Sequence, residues 1–497
     1  MSRYSSLDVP EDLKVRSIKS GGITLASQFV SIGITFVSVV VLARLLTPED
    51  YGLIAMVTSI TGFINLFNNL GLSSATIQKH GITDEQVSAL FWINGGLGAI
   101  IMLIIASLAP AVAWFYSKPQ LFPITMAFSL NALLIGLGTQ HGALLTKHMH
   151  FGKLAIIHIS ALIAGFVVAV GLALSGWAYW ALVAGSLVTS AWHTGGLWIA
   201  SPFRPSLPRK TSGVSQLVRF GANVAGFDLV TYLHRNVDNI LIGRVWGAQQ
   251  LGLYNKAYEL MMLPIRNIRW PLNKVAYPAM SKLQNDPALF RSYFIRYCSV
   301  VAFISMPIVA FFFVCSENII RFLLGVHWLG AAELFGILAL AGFIQPVASL
   351  RQTVIMSSGY APRLFRWGLI ESVVVVASFI CGLPWGAKGV AIAYCIATYL
   401  ILHPSLLYAF KNTPVRASDF YRAVTKPCVA SIMMCIFYIL SVGRLRDGSD
   451  LFVLAIALPF CLIAYLAVFF LLPGGKQRLI EYWEYLLILF RKSSDHV

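Results

Sequence analysis

The chain has 497 residues, 58% of them hydrophobic and only 11% charged, less than half the roughly 25% that an ordinary soluble domain carries. Its mean hydropathy of +0.75 excludes a soluble multidomain enzyme, for want of polar surface, and a disordered chain, for excess of apolar and aromatic side chains. Its net charge of +17 reads first as membrane topology rather than as a soluble nucleic-acid-binding face.

Residues 1–19 mix Asp8, Glu11 and Asp12 with Lys14, Arg16 and Lys19 and lack the apolar core and cleavage site of a signal peptide, so the first span is expected to act as its own insertion signal. Apolar runs of about 20 residues, each enough for one crossing, follow near 20–43, 52–71, 88–114, 121–146, 153–175 and 177–200. A second series lies near 217–245, 252–272, 294–316, 329–357, 364–386 and 388–410, and two more runs near 424–443 and 451–472. They are too long and alternate too little for barrel strands. The expected fold is all-α and integral to a membrane, with about fourteen transmembrane helices.

The expected organisation is a cytoplasmic tail (1–19), a six-helix bundle (20–200), a cytoplasmic linker rich in Pro and basic residues (201–216) and a second six-helix bundle (217–410). Two further helices (411–472) and an amphipathic tail (473–497) follow; in the tail Leu479, Ile480, Trp483, Leu486, Leu487 and Phe490 recur at helical spacing, as in a helix lying on the inner membrane surface. With the amino terminus inside, 27 of the 37 Lys and Arg residues fall in inner segments and 7 in outer ones, which argues for both termini inside and an even number of spans.

An internal repeat is visible. The stretch Ala43-Arg44-Leu45-Leu46-Thr47-Pro48-Glu49-Asp50-Tyr51-Gly52-Leu53 returns, degraded, as Gly243-Arg244-Val245-Trp246-Gly247-Ala248-Gln249-Gln250-Leu251-Gly252-Leu253, at an offset of 200. Gly176-Trp177-Ala178 corresponds to Gly386-Ala387-Lys388 at an offset of 210. Two related bundles of six helices sit the same way up, which predicts a parallel repeat about an axis along the membrane normal.

Nothing in the chain recruits for catalysis: no Walker A, H-E-x-x-H or G-x-S-x-G motif occurs, and the outer loops are short. The seven cysteines form no C-x-x-C pair and read as small hydrophobes; no metal and no cofactor is expected. Charges inside the bilayer are the informative residues, because each is costly there unless it faces a cavity or a partner. The first bundle's spans hold only polar groups, Gln28, Asn65, Asn68, Asn69, Gln140, His141 and His158, whereas the second carries Asp228, His234, Arg235, Asp238, Lys256, Glu259, Arg351 and Glu371. Asp228, Arg235 and Asp238 share one helix face, and Lys256 and Glu259 stand three apart. One reading is a hydrated wall that holds an anionic headgroup through Arg235, Lys256 and Arg351; the other is self-neutralised pairs that serve packing. Arg351 has no acid within four residues and must find its partner on another helix or in a ligand. Glu371, alone in its span, is either a proton or cation site or a packed residue. Asp228, Asp238 and Glu259 read as supporting groups.

The segment 43–53 resembles the first-loop signature of the bacterial polysaccharide transporter family, in the superfamily that also holds multidrug exporters and lipid II flippases. A longer match, Arg235-Asn236-Val237-Asp238-Asn239-Ile240-Leu241-Ile242-Gly243-Arg244 running on through Leu251-Gly252-Leu253-Tyr254-Asn255-Lys256-Ala257-Tyr258 to Leu263-Pro264, is similar to the colanic-acid-exporter-like branch. The resemblance covers nearly the whole chain. It implies two six-helix bundles in a V shape, often with two further helices, and an inner-membrane flippase for undecaprenyl-diphosphate-linked oligosaccharide; rocking of the two bundles against each other, driven by a proton or sodium gradient, is the expected means of alternating access. Of the three cations read as a diphosphate site, Arg235 and Lys256 lie within the matching block, while Arg351 rests on the charge argument. Membrane lipids and the polymerase and chain-length components of the same pathway would be its partners. The alternatives are a multidrug or cation antiporter of the same superfamily, which should place acids around its cargo, and a membrane glycan polymerase, which should have a large outer loop.

Overall fold

The structure, a computed structural model, describes residues 11–62, 73, 76–77, 82–207, 214–441 and 449–494, with side chains throughout except at 11–20, 214–235, 264, 267–271, 361 and 485–494. Every regular element among them is helical, and nine of the described helical segments are long and apolar enough to cross a membrane. One of the nine, Pro362–Phe410, contains two of the expected spans. The chain is thus an all-α membrane protein. Its contacts divide it into two units, Met1–Gly252 and Leu253–Val497.

Unit 1 holds α1 (Glu11–Leu45), α2 (Pro48–Thr61), α3 (Asp84–Tyr116), α4 (Leu121–Lys147), α5 (Phe151–Leu174), α6 (Trp180–Ala200) and the first part of α7 (Val214–Lys282). Local sequence sets the starts. Thr47 caps α2: its backbone N–H donates to Asp50 Oδ2 (2.9 Å), and Asp50 N–H returns a bond to Thr47 Oγ1 (3.3 Å), with Pro48 at the first turn. Thr83 and Gln86 repeat the device at α3. Between lipid-facing helices no hydrophobic force acts, so close backbone approach has to hold them together. α3 meets α4 where Gly136 leaves a Cβ only 2.6 Å from the Asn94 carbonyl oxygen, and α5 meets α6 where a Cβ on Gly165 would stand 2.7 Å from that of Gly185.

The two copies of the repeat meet reciprocally. A Cβ on Gly52 would lie 1.8 Å from the Ala248 carbonyl oxygen, and one on Gly252 would lie 1.8 Å from that of Pro48. Under the 200-residue offset Pro48 corresponds to Ala248 and Gly52 to Gly252, so each copy gives the other the same surface, as across a local two-fold axis. The backbone also breaks at the same register in both copies. Thr47 separates α1 from α2, and Gly247 (φ 81°, ψ −178°) interrupts α7, so that its two helical parts carry the expected spans 217–245 and 252–272. The second repeated motif keeps its turn as well, with φ of 80° at Gly176 and 74° at Gly386.

Unit 2 continues α7 and adds α8 (Pro287–Val314), α9 (Ser316–Leu324), α10 (Leu329–Ala348), α11 (Leu350–Ser357), α12 (Ala361–Gly382) and α13 (Gly386–Phe410). α14 (Ala417–Ser441), α15 (Asp450–Leu471) and the tail helix α16 (Gly475–Ser494) complete it. The expected span 329–357 is one candidate crossing, Val326–Ser357, in which Ser349 separates α10 from α11 while keeping helical dihedrals (φ −65°, ψ −18°), three residues after Pro346, which has no N–H to give the ladder. α12 and α13 pack through Gly382 and Gly389. The core joins α8, α10, α11, α13 and α14 around Phe290, Phe294, Phe410 and Phe420. At one end of this core, Asp419 at the start of α14 takes both Arg291 Nε (2.8 Å) and Nη2 (2.7 Å) from α8. The tail helix docks by Tyr482, which bonds Ser299 (2.5 Å) and packs its ring on Phe303.

Candidate functional site

Charge in an apolar span is costly unless it faces a cavity or pairs with an opposite charge. Two such pairs stand in unit 2. Lys256 Nζ donates to Glu259 Oε2 at 2.7 Å, with the lysine side chain 6% and the glutamate 39% exposed. Arg351 Nη2 donates to both Glu371 oxygens, at 2.8 and 2.7 Å, while its Nη1 holds the Ala348 carbonyl (3.0 Å); here the side chains are 9% and 31% exposed. In each pair the cation is buried and the acid is partly exposed. The partner that Arg351 required is therefore Glu371 on α12, and Glu371 stands not alone but across from that cation.

The helix register fixes how far apart the pairs stand. α7 runs parallel to α10 and α11: Leu253 lies beside Gly330, Met261 fills the space before Gly342, and Thr353 Oγ1 donates to Asn273 Oδ1 (3.2 Å). Along that register Lys256 and Arg351 are about fifteen helical residues apart, roughly 20 Å. In this conformation they form two stations rather than one clamp. Polar and aromatic groups fill the interval. Gln345 Nε2 donates to Tyr394 Oη (2.6 Å), and the rings of Tyr258 and Phe379 flank Tyr394 at 6.5 and 5.6 Å. Asn273 accepts from Tyr297 Oη as well (2.7 Å).

The remaining expected residues lie elsewhere. Asp238 is buried in unit 1, where Asn239 N–H donates to its Oδ1 (2.8 Å). Asp228, His234 and Arg235 are in α7, but their side chains lie outside the described residues, as do Asn65, Asn68 and Asn69 entirely. In the first unit Gln140 accepts from Thr76 Oγ1 (2.9 Å), His158 rests its ring edge on His193, and His141 sits among Phe91, Trp198 and Phe203. Sequence reasoning passed over Tyr258, Gln345 and Tyr394. The first lies inside the quoted motif, and Gln345 is an amide in an apolar span, a signal of the same kind as Arg351.

The profile of a family described as "Polysaccharide biosynthesis protein" matches residues 41–333. Among curated proteins, the chain is 26% identical over 415 residues to a lipopolysaccharide biosynthesis protein, WzxC, of Escherichia coli (strain K12), covering 82% of this chain and 83% of that protein. It is 24% identical over 418 residues to the succinoglycan biosynthesis transport protein ExoT of Rhizobium meliloti (strain 1021), covering 84% of each. Among solved structures, the lipid II flippase MurJ in an inward closed conformation superposes with a TM-score of 0.71 at 16% identity, over 91% of this chain and 98% of that one, a likeness of fold.

Proposed function

The chain belongs to the polysaccharide biosynthesis protein family, and on that premise we propose that it is an inner-membrane flippase for undecaprenyl-diphosphate-linked oligosaccharide repeat units. It is a transporter and not an enzyme. The observation that carries the reading is the strip of ionic and hydroxyl groups, about 20 Å long, set into the apolar helices of unit 2. A glycan diphosphate needs water and cations on its way across hydrocarbon roughly 30 Å thick, while its lipid tail needs neither. The names of the relatives, one in lipopolysaccharide biosynthesis and one a succinoglycan transport protein, fit such a cargo.

Lys256 and Arg351 are the groups we assign to the diphosphate, with Arg235 as a third. Each of the first two already holds a carboxylate. A phosphate that takes the cation frees Glu259 or Glu371 to accept a proton or a sodium ion, which would couple the lipid's movement to an ion gradient without any cofactor. Asp228 and Asp238 are the further carboxylates we assign as supporting or coupling groups. Both termini face the cytoplasm, and the polymerase and chain-length components of the pathway receive the product.

The test is a strain that lacks this protein but keeps the rest of the pathway. We expect a complete lipid-linked repeat unit to accumulate on the cytoplasmic side and secreted polymer to vanish. Unchanged polymer together with greater sensitivity to cationic drugs would instead identify an antiporter.

A further inference from the structure

A second basic site lies in unit 1. The turn between α3 and α4 opens a cavity of about 730 Å³ lined by Trp114, Ser117, Lys118, Phe122 and Arg244. Ser117 ends α3 in the left-handed region (φ 54°), which turns Lys118 into the cavity mouth. Arg244 reaches in from α7: it donates to Ser117 Oγ at 3.5 Å, and its guanidinium lies 5.5 Å from the centre of the Phe115 ring. Lys118 Nζ meets Glu49 Oε1 at 3.1 Å, with both side chains open to solvent. An exposed pair of this kind is weak and readily exchanged. Trp114 is 81% exposed at the edge, the position and residue type of a membrane–water interface anchor.

The charge pattern makes this cavity unusual. Only 7 of the 37 Lys and Arg residues fall in segments that the topology places outside. Two of the seven line this one cavity, beside an exposed indole and the Phe122 ring. We infer that the cavity is a binding site for the phosphate or diphosphate headgroup of a membrane lipid in the outer leaflet, with Arg244 and Lys118 on the phosphate and Trp114 and Phe122 against the upper acyl chain. Arg244 presents a flat fork suited to two phosphate oxygens, and its seat on Phe115 holds that fork in place. Lys118 leaves Glu49 to supply the second charge. The site does not depend on the assignment of Lys256 or Arg351.

The experiment uses the purified full chain in detergent and native mass spectrometry, with phosphatidylglycerol as probe and phosphatidylcholine as the zwitterionic control. We expect bound phosphatidylglycerol on the wild type and an affinity lower by about ten-fold or more in Lys118→Ala/Arg244→Ala. Arg244→Lys should retain most of the binding. Lys388→Ala, which removes an outer cation paired with Glu333 in unit 2 (2.5 Å), should change nothing. If the double alanine variant melts early, Lys118→Met/Arg244→Gln keeps the volume and answers the same question. Equal binding by wild type and double variant, or equal binding of phosphatidylcholine, overturns the inference. Displacement of the lipid by inorganic pyrophosphate at equal concentration overturns it too, because the site would then take a free phosphate and not a lipid.

Discussion

Arg351 and Glu371 show what one residue can and cannot reveal. That Arg351 needed a partner followed from its place in an apolar span; that the partner is Glu371 depended on α11 and α12 lying side by side, since twenty residues separate the two in sequence. Removing the acid leaves the buried guanidinium without its carboxylate, so Glu371→Ala should lower stability by about 2–3 kcal/mol, less than for a fully buried pair because the carboxylate is partly exposed. The double variant Arg351→Met/Glu371→Met should recover most of that stability yet fail to export polymer. Unfolding midpoints in detergent together with secreted polymer check both halves; full export by the stable double variant would reduce the pair to packing. Lys256 differs. Its bond to Glu259 was legible as a local pair three residues apart, and the acid is more exposed than Glu371. Lys256→Met should therefore fold within about 1 kcal/mol of wild type while export falls at least about ten-fold, and Lys256→Arg should keep it. Quantifying lipid-linked repeat units in the membrane decides this.

The repeat belongs to the scale of elements. Sequence comparison finds Gly52 and Gly252 as a matched pair, but only packing shows why both are glycine: each fits against the carbonyl of the other copy's helix start. Gly247 is glycine for another reason, because its φ of 81° strains any side chain although the space around it is open. The two causes predict different sizes of effect. Gly52→Val and Gly252→Val force the helix starts apart and should each cost about 3 kcal/mol, whereas Gly247→Ala should cost about 1–2 kcal/mol, through backbone strain alone. Thermal midpoints of the purified variants should fall in that order, and a Gly52→Val protein as stable as wild type would remove the close contact from consideration. The fate of the span at 346–349 was also hidden in the sequence: Pro346 is plain to see, but a proline in a membrane helix can kink, break or be tolerated, and here the crossing continues past it.

For the whole molecule, the lopsided distribution of Lys and Arg predicts both termini inside. A fluorescent protein fused after Val497 should glow and an alkaline phosphatase fused there should be inactive, while phosphatase inserted after Lys118 should be active; the opposite pattern would invert the topology and move the lipid site to the inner face. Composition alone determined the class of this protein, because hydrocarbon imposes one rule on every residue of a span and so leaves its mark in local sequence. The repeat, the intramembrane charges and the family likeness were likewise written along the chain. What only the tertiary structure decided is partnership: Glu371 with Arg351, Asp419 with Arg291, Gln345 with Tyr394, and Arg244 with the turn at Ser117. It also decided that Lys256 and Arg351 stand about 20 Å apart rather than side by side. Such facts depend on which helices neighbour one another and in what register. Small residues and close packing set that neighbourhood, and no window of sequence contains both sides of a contact.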